Sequence, residues 1–568
     1  MASNGSWAAR TALGVGLAGA LWLGLAACGS DDGQGPGPGA GGAGGSSSGT
    51  AGGGNVPVSC TPGESEPCYT GPEGTEGVGN CKGGKHACQD DGKSWGKCEG
   101  EILPAQEDCK QHGDENCDGV MCSEAAWSRI FGDKQKQSAS AVAIDGEHNV
   151  IFAGSFSGAV DFGGGALEAS NQDLFVVKYD AAGKHVWSRR FGHDVTMSTL
   201  ATPTAMAADA EGNVVVVGFF NGTIAFCEDD KYCPASSFSG SKDGFVLKLS
   251  KNGEHVYSGQ VGNGGSDIAA SVAIDSGGNA VVVGSRDDQD ELFCPKKPAF
   301  CVDPGKAPEG GSKDLMVFKL DPSGKTLWAK SFGDTKEQVG GGAAVDPEDN
   351  LIIAGAFAGQ IDFGAGPLES KGKTDVLVAK LSPMGDPIWA KGFGAELDQS
   401  AAGVGVDGAG NLVVAGTTNQ PFSFGGGPVP VVGGLDLFVA GLDANGNHRW
   451  SHGFGSAENE TVKGLAVDVQ GGAVICGSFI SNLSFGGDEL AGLGGFDQNL
   501  YLAKLDATGA HAWSKGFGSE GLDVANAVAI GADGAVAAVG DTENALNFGN
   551  GTLPNKGGTD AFVVLFFP

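Results

Sequence analysis

The side chains best suited to bind an ion lie in a short acidic run. Asp114, Asn116 and Asp118 occupy alternate positions and a glycine follows them, as in the first half of a calcium loop, where alternate side chains direct oxygen ligands at the ion. The closing Glu at the twelfth loop position is replaced by Ala125, so an EF-hand is not predicted. Glu107 would supply a further carboxylate to Ca²⁺. The alternative is an acidic turn clamped by disulfides.

A second set of oxygen donors recurs at one position of an internal repeat, five residues after a Phe-Gly or Val-Gly glycine. Its members are Gln137, Asp267, Gln338, Gln399, Glu460 and Asp523. In a closed ring of repeats these side chains would surround the mouth of a central channel, where they could bind a cation or sugar hydroxyls. The alternative is that they cap turns.

The sequence contains no catalytic constellation. A nucleophile elbow, an HExxH run, a P-loop and a Rossmann fingerprint are all missing from it. Four histidines each lie two residues before an aromatic that marks the repeat, and we expect them on separate rim strands: His185, His255, His448 and His511. We therefore predict no enzyme and no organic cofactor, only a possible Ca²⁺ ion. In ring-shaped repeat proteins an active site can be assembled from separate repeats, so the lack of a local motif does not exclude catalysis. The alternative is an enzyme of the cell envelope, of quinoprotein-like or carbohydrate-active type.

The first residues predict export. Residues 11–27 carry no charge, which is short for a membrane span and typical of a signal-peptide apolar region. Leu25-Ala26-Ala27-Cys28 resembles the bacterial lipobox, which implies that residues 1–27 are removed and that Cys28 is lipidated. Gly29 follows the cysteine, which by the sorting rule of that family implies the outer membrane, at its periplasmic face or on the cell surface.

Two small segments follow the predicted lipidation site. Residues 28–56 are rich in Gly, Ser and Pro and predict a flexible tether. Residues 57–122 hold eight cysteines, which in an exported segment predict a disulfide framework whose pairing the sequence leaves open. The eight are Cys60, Cys68, Cys81, Cys88, Cys98, Cys109, Cys117 and Cys122. The run from Glu107 to Cys122 also resembles a cysteine-rich metal-binding motif of bacterial surface proteins.

Residues 123–568 are built from seven copies of one repeat. Each copy is marked by an aromatic residue, at spacings of 60–71 residues: Trp127, Trp187, Tyr257, Trp328, Trp389, Trp450 and Trp513. Each copy offers four short apolar runs separated by turn residues, and runs that are apolar on both faces indicate doubly buried strands. Periods of this length with strand-like content predict propeller blades. Small residues in the Ala/Val runs suit a crowded axis, and the bulky Trp runs suit a wide rim.

The repeats resemble the SBBP family of bacterial β-propeller repeats. The resemblance lies in the patterns A-x-A-V-A-x-D-x-x-G-N, D-x-F-V-x-K and G-x-x-x-W-x-x-x-F-G across residues 124–568. The run from Asp180 to Trp187 also resembles the Trp-docking motif of quinoprotein dehydrogenases and of propeller lipoproteins that assist outer-membrane assembly.

The predicted fold is all-β: a seven-bladed propeller of about 28 antiparallel strands, preceded by a small disulfide-rich module. The chain enters the repeats with a lone Trp strand and ends without one, so the seventh blade is shared between the two ends. The second and third copies carry insertions with cysteine pairs, which predict local disulfides that rigidify a loop on one face. These pairs are Cys227 with Cys233 and Cys294 with Cys301.

The net charge argues against two classes of binding partner. Asp plus Glu is 68 and Lys plus Arg is 35, a formal net charge of −33, which argues against nucleic-acid binding and against docking on an anionic membrane surface. We predict a monomeric, lipid-anchored propeller that binds a protein or a glycan at the cell envelope. A calcium-stabilised structural protein like those of surface layers is a further alternative.

Overall fold

The computed structural model describes most of one compact unit, Cys60–Pro568. The described residues are 60–72, 74–77, 81–105, 117, 125–192, 200–226, 234–236, 242–262, 265–287, 300–301, 313–495 and 497–568. Within these ranges no helix is long and apolar enough to cross a membrane.

Three disulfides hold the N-terminal module together. They join Cys60 to Cys88, Cys68 to Cys98, and Cys81 to Cys117. A two-stranded antiparallel sheet lies between them, formed by Ser65–Cys68 and Gly84–Ala87. The prediction of a disulfide-rich module before the repeats is confirmed, and the pairing that the sequence left open is resolved for these six cysteines.

The repeats form seven four-stranded antiparallel sheets, the blades, numbered 1–7 from Gln137. The first strands of blades 1–7 are Gln137–Ile144, Leu200–Ala208, Ile268–Ile274, Gln338–Val345, Gln399–Val406, Thr461–Val467 and Asp523–Ile530. The second strands are Val150–Phe156, Val214–Asn221, Ala280–Asp287, Leu351–Phe357, Leu412–Thr418, Ala473–Phe479 and Val536–Thr542.

The third strands are Asp173–Tyr179, Asp243–Leu249, Lys313–Leu320, Asp375–Leu381, Asp436–Leu442, Asn499–Leu505 and Asp560–Phe566. The fourth strands are His185–Phe191, His255–Val261, Thr326–Phe332, Pro387–Phe393, His448–Phe454, His511–Phe517 and, for blade 7, Trp127–Phe131. This is the predicted arrangement of four strands in each of seven blades.

Short hairpins between the second and third strands were not predicted. Their pairs are Ala159–Asp161 with Ala166–Glu168, Thr223–Ala225 with Pro234–Ser236, Gln360–Asp362 with Pro367–Glu369, Phe422–Ser423 with Pro428–Val429, and Leu546–Asn547 with Thr552–Leu553. They are too short for an apolar period to show in the sequence. The insertion of blade 3 adds one further strand, Phe300–Cys301, which pairs parallel to the fourth strand of blade 2.

The blades form a closed ring. Each first strand contacts the first strands of both neighbouring blades, and the series returns from blade 7 to blade 1. Seven hydrophobic clusters occupy the seven junctions, each built from two adjacent blades. The second and third strands are consequently buried on both faces, as their uninterrupted apolar sequences predict. The seven-bladed propeller is confirmed.

The seventh blade joins the two ends of the propeller. Trp127–Phe131 pairs antiparallel with Asp560–Phe566, with Ser128 opposite Val564. Ser128 Oγ also donates a hydrogen bond of 2.9 Å to Asn550 Oδ1. The prediction that the lone Trp strand completes the last blade is confirmed.

The rim is secured by the aromatic residue of the fourth strand. In five junctions the Trp indole N–H donates to a carbonyl of the turn between the third and fourth strands of the next blade, at 2.9–3.2 Å; the donors are Trp127, Trp187, Trp328, Trp389 and Trp450. The turn glycine lies against the ring. At Gly446 the backbone has φ +72°, and an added Cβ would lie 2.9 Å from the Trp389 ring.

This packing predicts that Gly446→Ala lowers the free energy of unfolding by more than the left-handed backbone at this position alone would. The left-handed backbone costs an Ala about 1–2 kcal/mol, and overpacking the Trp389 ring adds about 1–3 kcal/mol. Gly494→Ala is the matched control, because Gly494 has φ +76° and open space around its Cβ position. Urea unfolding of both variants measures the difference. Equal losses of unfolding free energy would contradict the role given to the indole contact.

Candidate functional site

Several of the predicted site residues lie outside the described residues. They are Cys28, Glu107, Cys109, Asp114, Asn116, Asp118, Cys122, Cys227, Cys233 and Cys294. Cys301 is described by its backbone alone. Lipidation, the calcium loop, and the disulfides of the two insertions therefore stay predictions.

The recurring oxygen donors lie at or just before the start of the first strands, where all six are buried. Gln137 Oε1 accepts from the backbone N–H of Asp133 at 3.1 Å, and its Nε2 donates to Ser157 O at 2.8 Å. Gln338 repeats this arrangement with Asp334, accepting at 3.2 Å. Each glutamine thus bridges the turn that enters a blade and the end of that blade's second strand.

Three of the other four donors also accept from the turn that enters their blade. Gln399 accepts from Ala395 N at 2.8 Å, Glu460 from Ser456 N at 3.0 Å, and Asp523 from Ser519 N at 2.6 Å. Asp267 accepts instead from the backbone N–H of Asp287, at 3.2 Å. None of the six lines the central cavity. The structure therefore gives these side chains turn partners, not the open channel mouth that the repeat position suggested.

A second buried acidic position adjoins each of these turns. The third strand has a buried Asp or Asn at its first residue, or in blade 3 at its second; these residues are Asp173, Asp243, Asp314, Asp375, Asp436, Asn499 and Asp560. A Cβ built on Gly132, the Phe-Gly glycine, would lie 1.9 Å from Asp560 Oδ1 and 2.8 Å from Gln137 Oε1. Only glycine leaves room at this point for the two polar side chains.

Burial raises the pKa of several of these carboxyl groups between the blades. It raises the pKa of Asp560 to about 6, against the opposing hydrogen bond from the Lys556 backbone. Burial likewise raises the pKa values of Asp375, Glu460 and Asp523. The junctions between blades therefore hold carboxyl groups that favour the neutral form more than exposed carboxyls do.

The central cavity runs along the ring axis and has a volume of about 200 Å³. Three consecutive residues of each first strand line it, and the middle of each strand carries a β-bulge. The bulged residues of blades 1–7 are Ser140, Thr204, Ala270, Gly341, Ala402, Lys463 and Asn526. Bulges redirect side chains, and here all seven bulged residues line the cavity.

Three of the bulged side chains link neighbouring blades. Ser140 Oγ donates to Pro203 O at 2.6 Å, Thr204 Oγ1 to Ala269 O at 2.5 Å, and Asn526 Nδ2 to Ala139 O at 3.0 Å. Each acceptor is the residue before the bulge of the next blade. Blades 7, 1, 2 and 3 are thus connected around the axis by side-chain hydrogen bonds.

Buried ion pairs were missed by the sequence analysis. The Asp that ends the first strand pairs with the Lys of the third strand at 2.6–3.2 Å in five blades; the pairs are Asp145 with Lys178, Asp209 with Lys248, Asp275 with Lys319, Asp346 with Lys380, and Asp468 with Lys504. Burial acts to raise the pKa of Asp346, but hydrogen bonds from Lys380 and Asn350 outweigh it and hold that pKa below its ordinary value.

The sequence repeat shows a pattern that could have predicted these pairs. Blade 7 has Gly531 in place of the Asp and Leu565 in place of the Lys, so both partners are lost together. Blade 5 keeps Asp407 but has Gly441 where the Lys is expected, and an added Cβ there would lie 2.4 Å from the Trp450 ring. These lysines are structural, because each is paired and four of the five are buried, Lys504 being partly exposed.

A groove of about 570 Å³ lies at the junction of blades 2 and 3. At this junction Tyr257 replaces the Trp of the other blades and packs against Gly324 of the next turn. The groove is lined by Asp209 and Asp275, which are already paired with lysines, and by the exposed Glu211. Ser276 also lines the groove, and its Oγ donates a hydrogen bond of 2.5 Å to Asp349 Oδ2.

The four histidines lie on separate outer strands, as expected. Three of them contact the serine three residues on at 3.0–3.1 Å: His255 with Ser258, His448 with Ser451, and His511 with Ser514. In the part of the chain that the structure describes, no group of three or more His, Cys, Asp or Glu is placed to hold a metal ion.

The chain resembles two curated proteins. It is 26 % identical over 412 residues to Regulatory protein FlaEY of Caulobacter vibrioides, covering 67 % of this chain and 40 % of that protein. It is 24 % identical over 423 residues to an uncharacterized WD repeat-containing protein, L264, of Acanthamoeba polyphaga mimivirus, covering 60 % of this chain and 29 % of that protein. The chain thus spans less than half the length of either.

A β-propeller is among the solved structures that match part of the chain. The β-propeller domain of the Trilobed protease from Pyrococcus furiosus is 10 % identical, with a TM-score of 0.34, and the match covers 76 % of this chain and 96 % of that one. No family model matches the chain.

The raised pKa of Asp560 predicts a pH-dependent stability. Because the folded state favours the neutral carboxyl, Asp560 contributes its full stabilisation at pH values below its unfolded-state pKa. This stabilisation is lost as the pH rises through the folded-state pKa of about 6. Asp560→Asn should remove this loss, reducing the fall in unfolding free energy between about pH 5 and pH 8 by on the order of 1–2 kcal/mol. Blade 6 carries Asn499 at the equivalent position, which shows that an amide fits.

Urea titrations at the two pH values test the prediction. The exposed Asp488→Asn serves as the control and should leave the pH dependence unchanged. An unaltered pH dependence in Asp560→Asn would contradict the assignment.

Proposed function

We propose that the protein is a lipid-anchored scaffold of the bacterial cell envelope whose propeller binds a protein partner along its rim. The observation that carries this proposal is a row of exposed aliphatic side chains on the fourth strands of four consecutive blades. The row consists of Val186, Val256, Leu327 and Ile388, which are 45–51 % exposed.

The row is confined to one side of the ring. Its members occupy the same position, immediately before the blade aromatic, in blades 1–4. Blades 5, 6 and 7 carry Arg449, Ala512 and Ala126 there. Single exposed apolar residues are normal on a protein surface, but a repeated apolar position limited to four adjacent blades favours a docking surface for a partner.

The backbone of the rim supports a protein partner over a glycan. The fourth strand is the outer edge of each blade, and an outer edge presents unpaired backbone groups to which an extended segment can be added. Such an addition exists within the chain, since Phe300 and Cys301 pair in parallel with Gly259 and Gln260 at the edge of blade 2. A partner strand could bind neighbouring edges in the same way, with its side chains against the aliphatic row.

The predicted anchor and tether suit such a role. Lipid on Cys28 would fix the protein to the membrane, and residues 28–56 would span about 30 Å as a random coil. The net charge of −33 disfavours contact with anionic lipids. These features would hold the rim away from the bilayer and accessible to envelope proteins.

Substitution of the row tests the partner proposal. The variant V186S/V256S/L327S/I388S should lose the partner recovered by cross-linking in intact cells, while its melting temperature stays close to that of the parent. The matched control is V432S/V469S/L493S, which removes three exposed aliphatic residues elsewhere on the propeller. Recovery of the same partner by the row variant, or of glycan by both proteins, would overturn the proposal.

Lipidation is tested separately. The parent should incorporate radiolabelled palmitate and sediment with membranes, and Cys28→Ser should do neither. Globomycin, which blocks lipoprotein signal peptidase, should cause the unprocessed parent to accumulate. Absence of label from the parent would refute the anchor without affecting the rim proposal.

A further inference from the structure

We propose that the central cavity binds a small organic anion with a single carboxylate through Lys463. This site is distinct from the rim and does not depend on the proposed scaffold function.

Lys463 is the one charged residue among those lining the cavity. It is the bulged residue of the blade 6 first strand, between Val462 and Gly464. Since the bulged residues of all seven blades line the axis, the bulge places Lys463 along the cavity. Its side chain is exposed there and forms none of the ion pairs found among the described residues. Acidic residues are abundant, with 68 Asp and Glu in the chain. Five third-strand lysines are paired with Asp, and Lys463 differs from them because it has no such partner in the described part of the chain.

The other polar groups of the cavity leave a small number of free donors. Ser140, Thr204 and Asn526 use their side-chain hydrogens on carbonyls of the next blade. Ser271 Oγ instead accepts from the backbone N–H of Ala343 at 3.1 Å, so its hydroxyl hydrogen remains available. The Lys463 ammonium is the charged donor for a carboxylate among the lining residues, and the Ser271 hydroxyl adds a neutral donor to the same lining.

The size and lining of the cavity define the rest of the ligand. The volume is about 200 Å³, and an engineered apolar cavity of about 150 Å³ accommodates benzene. Most of the accessible lining is polar, and Val142, Met206 and Leu465 supply the smaller apolar part. A dianion such as phosphate would bring a second charge with no second cation among the lining residues. The cavity therefore suits a small monocarboxylate of about the size of benzoate.

Benzoate is the direct probe, and calorimetry on the full chain measures its binding. Benzoate should bind more tightly than its neutral analogue benzyl alcohol, and inorganic phosphate should not bind. Lys463→Met should weaken benzoate binding at least tenfold and leave benzyl alcohol binding unchanged, whereas Lys463→Arg should retain benzoate. Lys373→Met, which removes a surface charge, is the control and should bind benzoate like the parent.

A second measurement uses the unmodified protein and so does not depend on folding of a variant. Benzoate should slow acetylation of Lys463 by an amine-reactive ester, followed by peptide mass spectrometry, while acetylation of Lys373 proceeds unchanged. Unslowed acetylation of Lys463, equal binding of benzoate by Lys463→Met and the parent, or binding of phosphate as tight as benzoate would each overturn the proposal.

Discussion

Each blade of this propeller is stable only if both of its faces are covered, and that requirement determines the rest of the structure. The second and third strands are apolar on both faces, so a blade exposed on one side would leave a large apolar surface in water. Each of the seven hydrophobic clusters is shared by two blades. The last junction forms only because Trp127–Phe131 completes blade 7 beside Asp560–Phe566. The two ends of the propeller domain are thereby held in one sheet.

The same closure separates the molecule into regions with different chemistry. At the axis, crowded first strands bulge at one position and direct six side chains and one glycine, Gly341, to a narrow cavity. Between the blades, buried polar side chains hold the turns, and within five blades an Asp–Lys pair joins the end of the first strand to the third strand. At the rim, the indole of one blade is docked on the turn of the next at five junctions, and among the described strands only blade 2 carries an added strand on its outer edge. The proposed anion site and partner surface therefore lie at opposite ends of each blade, and changes at one need not alter the other.

Repetition made the fold predictable from sequence, while the chemistry of individual sites was less so. The spacing of the aromatic residues and the doubly apolar runs predicted seven blades, four strands in each, and the shared last blade. The oxygen donors such as Gln137 and Glu460 were found by the same repetition, but the period does not reveal depth, and the structure buries them at the start of the first strands. Lys463 differs from its six counterparts, and a bulge leaves no mark in the apolar pattern, so its place in the cavity required the structure.

The central claim, closure of the ring by the first strand of the repeats, is tested most directly by peptide-level hydrogen exchange. Amides of Trp127–Phe131 should exchange as slowly as those of Pro387–Phe393, an outer strand built within one continuous blade, and Asp560–Phe566 should be protected along its whole length. Rapid exchange in Trp127–Phe131, at the rate of an unstructured peptide, would show that the last blade lacks its fourth strand and would contradict closure of the ring.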